Sequence, residues 1–405
     1  MSGARPRRPK IALVAQRFGP GVVGGAEDHA RLIARLLSRW SDLTVVTTCA
    51  RDYLTWANHF APGRDQVDGL PVLRFANLQQ RDVATFPALT EQLLLRDHPY
   101  GAELEWLKAQ GPRCPELLWY LRAEGASYDL LLFFTYLYYP TFFGLQLHPR
   151  RSALVPTAHN EPAIYLNCYQ HFFRLPAAIF YNTVEEKGLL NRLTHNQFTF
   201  SRVVGVGMDP PGAADVAGFR RAYGLERPYL IYAGRITTAK GTDTLLRCFA
   251  EYRAGRGDGL ELVLIGATEG SEPQGDGVRY LGFLSSEHKD AAFAGAAAMA
   301  VPSLYESLSI VALEAWRWGR PVLADRRSEV LAGLIRRSGG GWTFGTAAEF
   351  GAALGTIVDE PEEARRRGEL GRRFVTRYYN WPTIERKYAE VISRITGIPC
   401  GPLVQ

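Results

Sequence analysis

Two short stretches of the 405-residue chain combine charge with glycine in a way that suits chemistry on a phosphorylated ligand. The first is Ala233-Gly-Arg-Ile-Thr-Thr-Ala-Lys-Gly241, in which Arg235 and Lys240 stand between Gly234 and Gly241 at a turn from a β-rich run into a helix-like one. Two cations there can neutralise a diphosphate. Open α/β sheets bind their ligands in the crevice at the carboxyl ends of the strands, where such a turn falls. The second is Glu306-Ser-Leu-Ser-Ile-Val-Ala-Leu-Glu314, whose glutamates are separated by seven residues. That spacing predicts Glu314 about two turns along a helix from Glu306 and roughly on its side. The amides of Ser309, Ile310 and Val311 fall at the start of that helix, where four N–H groups lack internal partners and the macrodipole is positive. They form a candidate diphosphate cradle, with the two carboxylates left for sugar and ribose hydroxyls. A lone glutamate at a helix start also complements the dipole, and a lone Arg or Lys is usually solvated. The pairing and the flanking glycines are what favour a site.

The elements that must position these residues alternate. Lys10–Gln16 is a β-rich apolar run, Arg17–Gly25 is glycine-rich, Ala26–Trp40 has helical periodicity and Leu43–Thr48 is β-rich again. This is a βαβ unit, which implies a parallel sheet. Further apolar runs at Val72–Phe75, Asp129–Phe134, Ala153–Thr157, Ala178–Tyr181 and Phe198–Val206 continue the pattern. A breaker-rich stretch at Met208–Ala214 interrupts it, after which it restarts with Tyr229–Ala233, Glu261–Ile265, Val278–Leu281, Ala298–Val301 and Pro321–Ala324. The expected fold is α/β, with two doubly wound parallel-sheet domains facing a cleft. The predicted boundaries are 1–207, 208–378 and a C-terminal helical segment 379–405 returning to the first domain, with a kink or break at Pro382. The length itself exceeds one ordinary α/β core.

Gly-Arg followed by Lys-Gly, then Glu-x7-Glu opening a helix, resembles glycosyltransferase family 4, whose fold is GT-B. The N-terminal half is similar too: Gly24-Gly25-Ala26-Glu27 looks like the family's first glycine loop, and Val155-Pro-Thr-Ala-His159-Asn-Glu-Pro like its strand-ending histidine. The resemblance implies sugar transfer from a nucleotide diphosphate donor with retention of configuration, no bound metal, and a donor seated mainly on the second domain. It implies that His159 hydrogen-bonds a donor sugar hydroxyl, that Glu314 meets the ribose, and that Gly24, Gly25, Gly234, Arg235, Lys240, Glu306, Ser309, Ile310 and Val311 line the donor site. The acceptor is a hydroxyl of a glycan, a lipid-linked sugar or a small molecule. Ser307-Leu308-Ser309 departs from the Gly-Phe-Gly that many members carry there, which puts sugar choice in doubt.

Composition narrows the alternatives. Hydrophobic residues at 46% and charged residues at 22% are globular values, and a net charge of +6 attracts anions without choosing among them. Arg5, Arg7, Arg8 and Lys10 form a basic N-terminal arm suited to solvent or to a membrane surface. Five cysteines without regular spacing indicate neither a zinc site nor a disulfide framework, and fit a reducing cytosol. No apolar h-region follows the basic residues, so no signal peptide is expected. Leu130–Leu147 reads as a buried strand followed by an aromatic loop, and membrane contact, if any, as peripheral at the inner face. No Asp-x-Asp pair occurs, so no metal or other cofactor is expected, and no nucleic-acid partner. Gly19-Pro-Gly21-Val-Val-Gly24 is a literal dinucleotide fingerprint, but the second strand ends in Thr47, Thr48 and Cys49 where an acid should meet the ribose. A nucleotide-sugar epimerase and a non-catalytic sugar-binding protein remain as rivals. The aromatic run Phe133–Tyr139, with Tyr53, Trp56 and His59, reads as core or as an acceptor wall.

Overall fold

A computed structural model describes residues 7–257, 259–268 and 270–404, so Arg5 of the basic arm lies outside the described residues. The chain divides into two compact units, Met1–Val206 with Pro382–Gln405, and Gly207–Trp381.

The first unit holds eight strands: β1 (Lys10–Val14), β2 (Asp42–Thr48), β3 (Gly63–Val67), β4 (Leu70–Phe75), β5 (Leu130–Phe134), β6 (Ser152–Val155), β7 (Ala178–Tyr181) and β8 (Ser201–Val203). Their order is β3-β4-β2-β1-β5-β6-β7-β8. Every pairing is parallel except β3 with β4. Strands β5, β6 and β7 are buried along their whole length, which is why they read as unbroken apolar runs rather than alternating ones. Strand β3, Gly-Arg-Asp-Gln-Val, is mostly exposed and closes the sheet edge with charge.

The second unit holds β9 (Tyr229–Ala233), β10 (Glu261–Ile265), β11 (Val278–Tyr280), β12 (Ala298–Val301), β13 (Val322–Asp325) and β14 (Gly341–Phe344), in the order β11-β10-β9-β12-β13-β14. All are parallel. Winding therefore reverses between β1 and β5 in one sheet and between β9 and β12 in the other. Crevices for ligands form at such reversals.

Several expectations change. The strand expected over Phe198–Val206 shrinks to Ser201–Val203, and the aromatic run turns into the helix Tyr139–Leu145 after β5. Phe133, Phe134, Tyr136 and Tyr139 are core, and Trp56 is buried with Nε1 donating to Gln110 O at 2.7 Å. The two terminal helices expected are present, Pro361–Tyr378 and Trp381–Thr396, but the break falls at Tyr379–Asn380, and Pro382 sits in the first turn of the second helix, where its missing N–H costs nothing. Within the first unit, Tyr388 of that last helix stacks on Phe180 at 4.6 Å between centroids.

One packing detail fixes the element that carries Glu314. Helix Pro361–Tyr378 crosses helix Ile310–Arg317 at Gly368 and Gly371. A Cβ on Gly371 would overlap the Trp316 ring, and one on Gly368 would overlap Gly319 O. Trp316 is fully buried, and its Nε1 donates to Gly340 O at 2.7 Å.

Candidate functional site

In the second unit the two chemically suggestive stretches lie on adjoining loops. After β9 the chain passes through a 3-10 turn at Thr238–Lys240, whose start is held by the Thr237 side chain accepting from Lys240 N. Gly241, at φ +75°, then opens helix Thr242–Gly255. A Cβ on Gly241 would run into Pro302 O, in the loop after β12. Glycine is required because the two loops pass backbone against backbone, and Ser303 Oγ donates to Lys240 O at 3.4 Å across the same seam. Tyr232, at the end of β9, donates its hydroxyl to Arg235 O at 2.6 Å. Burial pushes that phenol upward, with Glu306 adding to the shift, so it stays a donor.

Glu306 and Lys240 are partners: Nζ lies 3.1 Å from Oε1, with the side chains 32% and 14% exposed. Glu306 precedes the helix rather than lying on it. Ser309, at φ 65° and ψ 77°, turns the chain left-handed, and the helix begins only at Ile310. The shared helical side expected for Glu306 and Glu314 is thereby lost, because helical phase does not carry through a left-handed residue. Glu314 instead faces Lys289 of helix Ser286–Gly295, Nζ to Oε1 2.7 Å, and its other oxygen is buried without a hydrogen-bond partner among the described residues. The cradle itself is open to an anion: helix Ile310–Arg317 has no acidic residue in its first turn and no side-chain cap, and the buried Ser309 Oγ also has no partner among the described residues. The amides of Ile310 and Val311, with that of Ser309 beside them, thus sit at an uncomplemented positive end.

The first unit treats its own helix start differently. Gly24 and Gly25 begin helix Gly25–Ser38, whose first turn contains Glu27 and Asp28. Glu27 is 5% exposed, and its Oε1 accepts from Gln16 Nε2 at 2.8 Å and from both Nε and Nη2 of Arg17, the latter at 2.6 Å. A Cβ on Gly24 would overlap Glu27 Oε2. A carboxylate of the chain therefore occupies the place where a dinucleotide phosphate should rest, which disfavours the dinucleotide reading of Gly19–Gly24.

His159 follows β6. Two neighbouring strands end in left-handed threonines, Thr135 at φ 65° after β5 and Thr157 at φ 50° after β6, and Thr157 Oγ1 donates to Thr135 Oγ1 at 3.1 Å. His159 Nδ1 lies 3.3 Å from Glu161 Oε1, and the same oxygen accepts from Tyr136 Oη at 2.8 Å. Ala158 N donates to the buried Glu186 Oε1 at 2.6 Å, and Asn182 N to Oε2 at 2.6 Å. Burial raises the Glu186 carboxyl to about 8, against the lowering by those amides.

Sequence reasoning missed Arg17, Glu161, Glu186 and Lys289. Only Glu186 carried a local signal, the Thr183-x-x-Glu186 capping box. The others are defined by what packs beside them. Among the described residues no group of three His, Cys, Asp or Glu side chains is arranged to hold a metal ion, and all five cysteines are free and buried.

Comparison with known proteins gives the class first. The chain shares its fold with a sucrose-phosphate synthase from Thermosynechococcus elongatus (TM-score 0.72, 18% identity, 96% of this chain and all of that one) and with Anabaena HepE in complex with UDP and glucose (TM-score 0.68, 16% identity, 96% of this chain and all of that one). The fold is GT-B, that of glycosyltransferases. More narrowly, residues 227–360 match the family described as Glycosyl transferases group 1. The chain is similar to a glycogen synthase from Thermus thermophilus, 32% identical over 199 residues, and to an MMP alpha-(1->4)-mannosyltransferase from Mycolicibacterium hassiacum, 31% identical over 174. Those matches take in 47% and 39% of this chain but only 44% and 42% of the relatives' length. No helix among the described residues is long and apolar enough to cross a membrane.

Proposed function

We propose that the chain is a retaining glycosyltransferase using a nucleotide diphosphate sugar, with the donor's diphosphate on the second unit. The observation that carries this reading is the helix start at Ile310: no side-chain cap, no acid in the first turn, and a buried Ser309 hydroxyl without a partner among the described residues, beside the loop that bears Arg235 and Lys240 at the point where the sheet reverses. The GT-B fold and the family match over that unit support it.

Departure of the diphosphate places negative charge on its oxygens while the sugar gains oxocarbenium character. Fixed donors at the helix mouth with Arg235 and Lys240 stabilise the first without a metal ion, and Glu306 with Lys240 attached can accept from a sugar hydroxyl. Glu314, held by Lys289, keeps one carboxylate oxygen for a ribose hydroxyl. A phosphate oxygen of the leaving group takes the acceptor's proton on the same face, so no enzymic base is required. His159 is assigned to a hydroxyl of the donor sugar. Acceptors in this reading are hydroxyls of glycans, lipid-linked sugars or small molecules, and the location is cytoplasmic, with peripheral contact at the inner membrane face as one form of it.

A thermal-shift screen of nucleoside diphosphates tests the site. A ligand at one hundred times its Kd stabilises by about 2.7 kcal/mol. The corresponding nucleotide sugars, incubated with candidate acceptors, should release nucleoside diphosphate at an EDTA-insensitive rate. Chelator-sensitive turnover removes the metal-free mechanism. An epimerised donor without any acceptor converts the assignment to an epimerase, and tight binding with no release makes the chain a binding protein.

A further inference from the structure

The first unit has an edge where positive charge gathers around exposed apolar side chains. Strands β6, β7 and β8 are neighbours, and the loops that lead into them, 148–151, 171–177 and 195–200, are tied side by side: Ala177 N donates to Pro149 O at 3.2 Å, and Arg174 Nε to Thr194 O at 2.7 Å. These loops contain no Asp or Glu, and Arg150, Arg151 and Arg174 on them are exposed. Arg394, from the last helix of the same unit, lies over the Phe200 ring at 4.1 Å and adds a fourth cation. Beside them Leu175 is 38% exposed and Phe198 93%, the most exposed large apolar side chain among the described residues. A concavity of ≈ 590 Å³ opens there, with Arg174, His195 and Phe198 in its lining. Carbonyl capping accounts for part of the charge, since Arg174 serves the last residue of helix Val184–Thr194 and Arg151 serves Tyr128 O. It does not account for a bare phenyl ring among arginines on loops without an acid.

We propose that this edge is a docking surface for an anionic lipid membrane, with Phe198 entering the interfacial layer and Arg150, Arg151, Arg174 and Arg394 meeting headgroup phosphates. A protein partner calls for a broad apolar core within about 800 Å² on each side. A single aromatic ringed by cations suits a bilayer, where each Lys or Arg near an anionic surface strengthens binding about fivefold and an apolar side chain supplies a second anchor. The named loops all precede strands of a parallel sheet, whereas Gly24 and His159 follow strands, so the docking edge lies at the opposite end of the sheet from those two residues. A chain so docked turns the carboxyl ends of its first sheet away from the lipid. This rests on the peripheral-contact part of the proposed function and not on the donor site, which belongs to the other unit.

Flotation of the full chain with lipid vesicles tests the surface. The protein should float with vesicles of equal parts phosphatidylcholine and phosphatidylglycerol and stay behind with phosphatidylcholine alone, and raising the salt should release it. Arg150→Glu should weaken binding about 30-fold, because reversal removes one attraction and adds one repulsion. Phe198→Ser should weaken it about tenfold through loss of the apolar anchor. Both variants should keep the wild-type thermal midpoint and the wild-type affinity for nucleoside diphosphate, which separates a membrane defect from misfolding. No flotation with the anionic vesicles, equal flotation with both compositions, or variants that float like the wild type would each overturn the proposal. A wild-type dimer that Phe198→Ser disperses would assign the edge to a second copy of the chain and overturn it likewise. Absence of nucleoside diphosphate binding in all three proteins would sink the donor reading and leave the membrane result standing.

Discussion

The reversal points of the two sheets are topologically alike and chemically opposite. In the first unit the helix opened by Gly24 and Gly25 meets its own Glu27, which is locked to Arg17 with side chains 7% and 5% exposed. In the second unit the pair at the corresponding place, Lys240 with Glu306, remains 32% and 14% exposed, and the helix at Ile310 has no acid in its first turn. One helix start carries the chain's own carboxylates; the other has none in its first turn. Strand order marks both reversals as places where a ligand can bind, and the internal ion pairs set the charge that each presents.

That contrast can be broken at four depths. Arg17→Ala leaves Glu27 charged and buried, so the unfolding free energy should fall by about 3–5 kcal/mol in urea titration. A loss under 1 kcal/mol would mean the first crevice is not sealed by this pair. Lys240→Ala should do the reverse, lowering kcat/KM by about 100- to 1000-fold while changing stability by no more than about 1 kcal/mol, because its partner is reachable by water. Turnover within a factor of three of wild type would count against the second crevice as the site.

The sealed interior of the first unit also predicts a pH effect. Burial lowers His29, which packs edge-on to Phe134, to about 4, opposed by a hydrogen bond with the Gly205 backbone. The unfolded ring takes its proton near 6.5, so between those values the unfolded state binds more protons and stability falls with falling pH. Relative to His29→Leu, the wild type should lose about 3 kcal/mol between pH 6.5 and pH 4. A flat difference curve in denaturant titrations across that range would show that the ring is wet. The smallest effect is at Ser309, where Gly relieves a left-handed serine: Ser309→Gly should raise stability by about 1 kcal/mol. A drop in the thermal midpoint would show that the serine side chain contributes more than its backbone costs.

The sequence carried the architecture well where burial is two-sided. Tyr229–Ala233, Glu261–Ile265, Ala298–Val301 and Ala178–Tyr181 are strands over those very residues, because a strand covered on both faces is an uninterrupted apolar run. It carried little of β3, whose Arg64, Asp65 and Gln66 look like a loop because an edge strand tolerates charge. The glycine-bracketed cations were legible, since glycine at a strand end reports a close backbone approach, as Gly241 makes to Pro302. The pairings were not. Lys289 with Glu314 and Arg17 with Glu27 depend on which helix lies beside which, and the phase relation drawn between Glu306 and Glu314 failed on the single backbone angle of Ser309.

The two glycines under Trp316 have a consequence for how tightly a guest can be gripped. With Gly368 and Gly371 letting one helix rest directly on the indole, the segment Leu313–Trp316 has no slack to slide or tilt, and Leu313, Ala315 and Trp316 are shut off from solvent. Its amides should be among the slowest in the chain to exchange with deuterium, and they should stay slow in the empty protein. A receptor already set before its visitor arrives loses little disorder on docking. Under the proposed function, selectivity at this end comes from who fits, since the frame does not bend to accommodate.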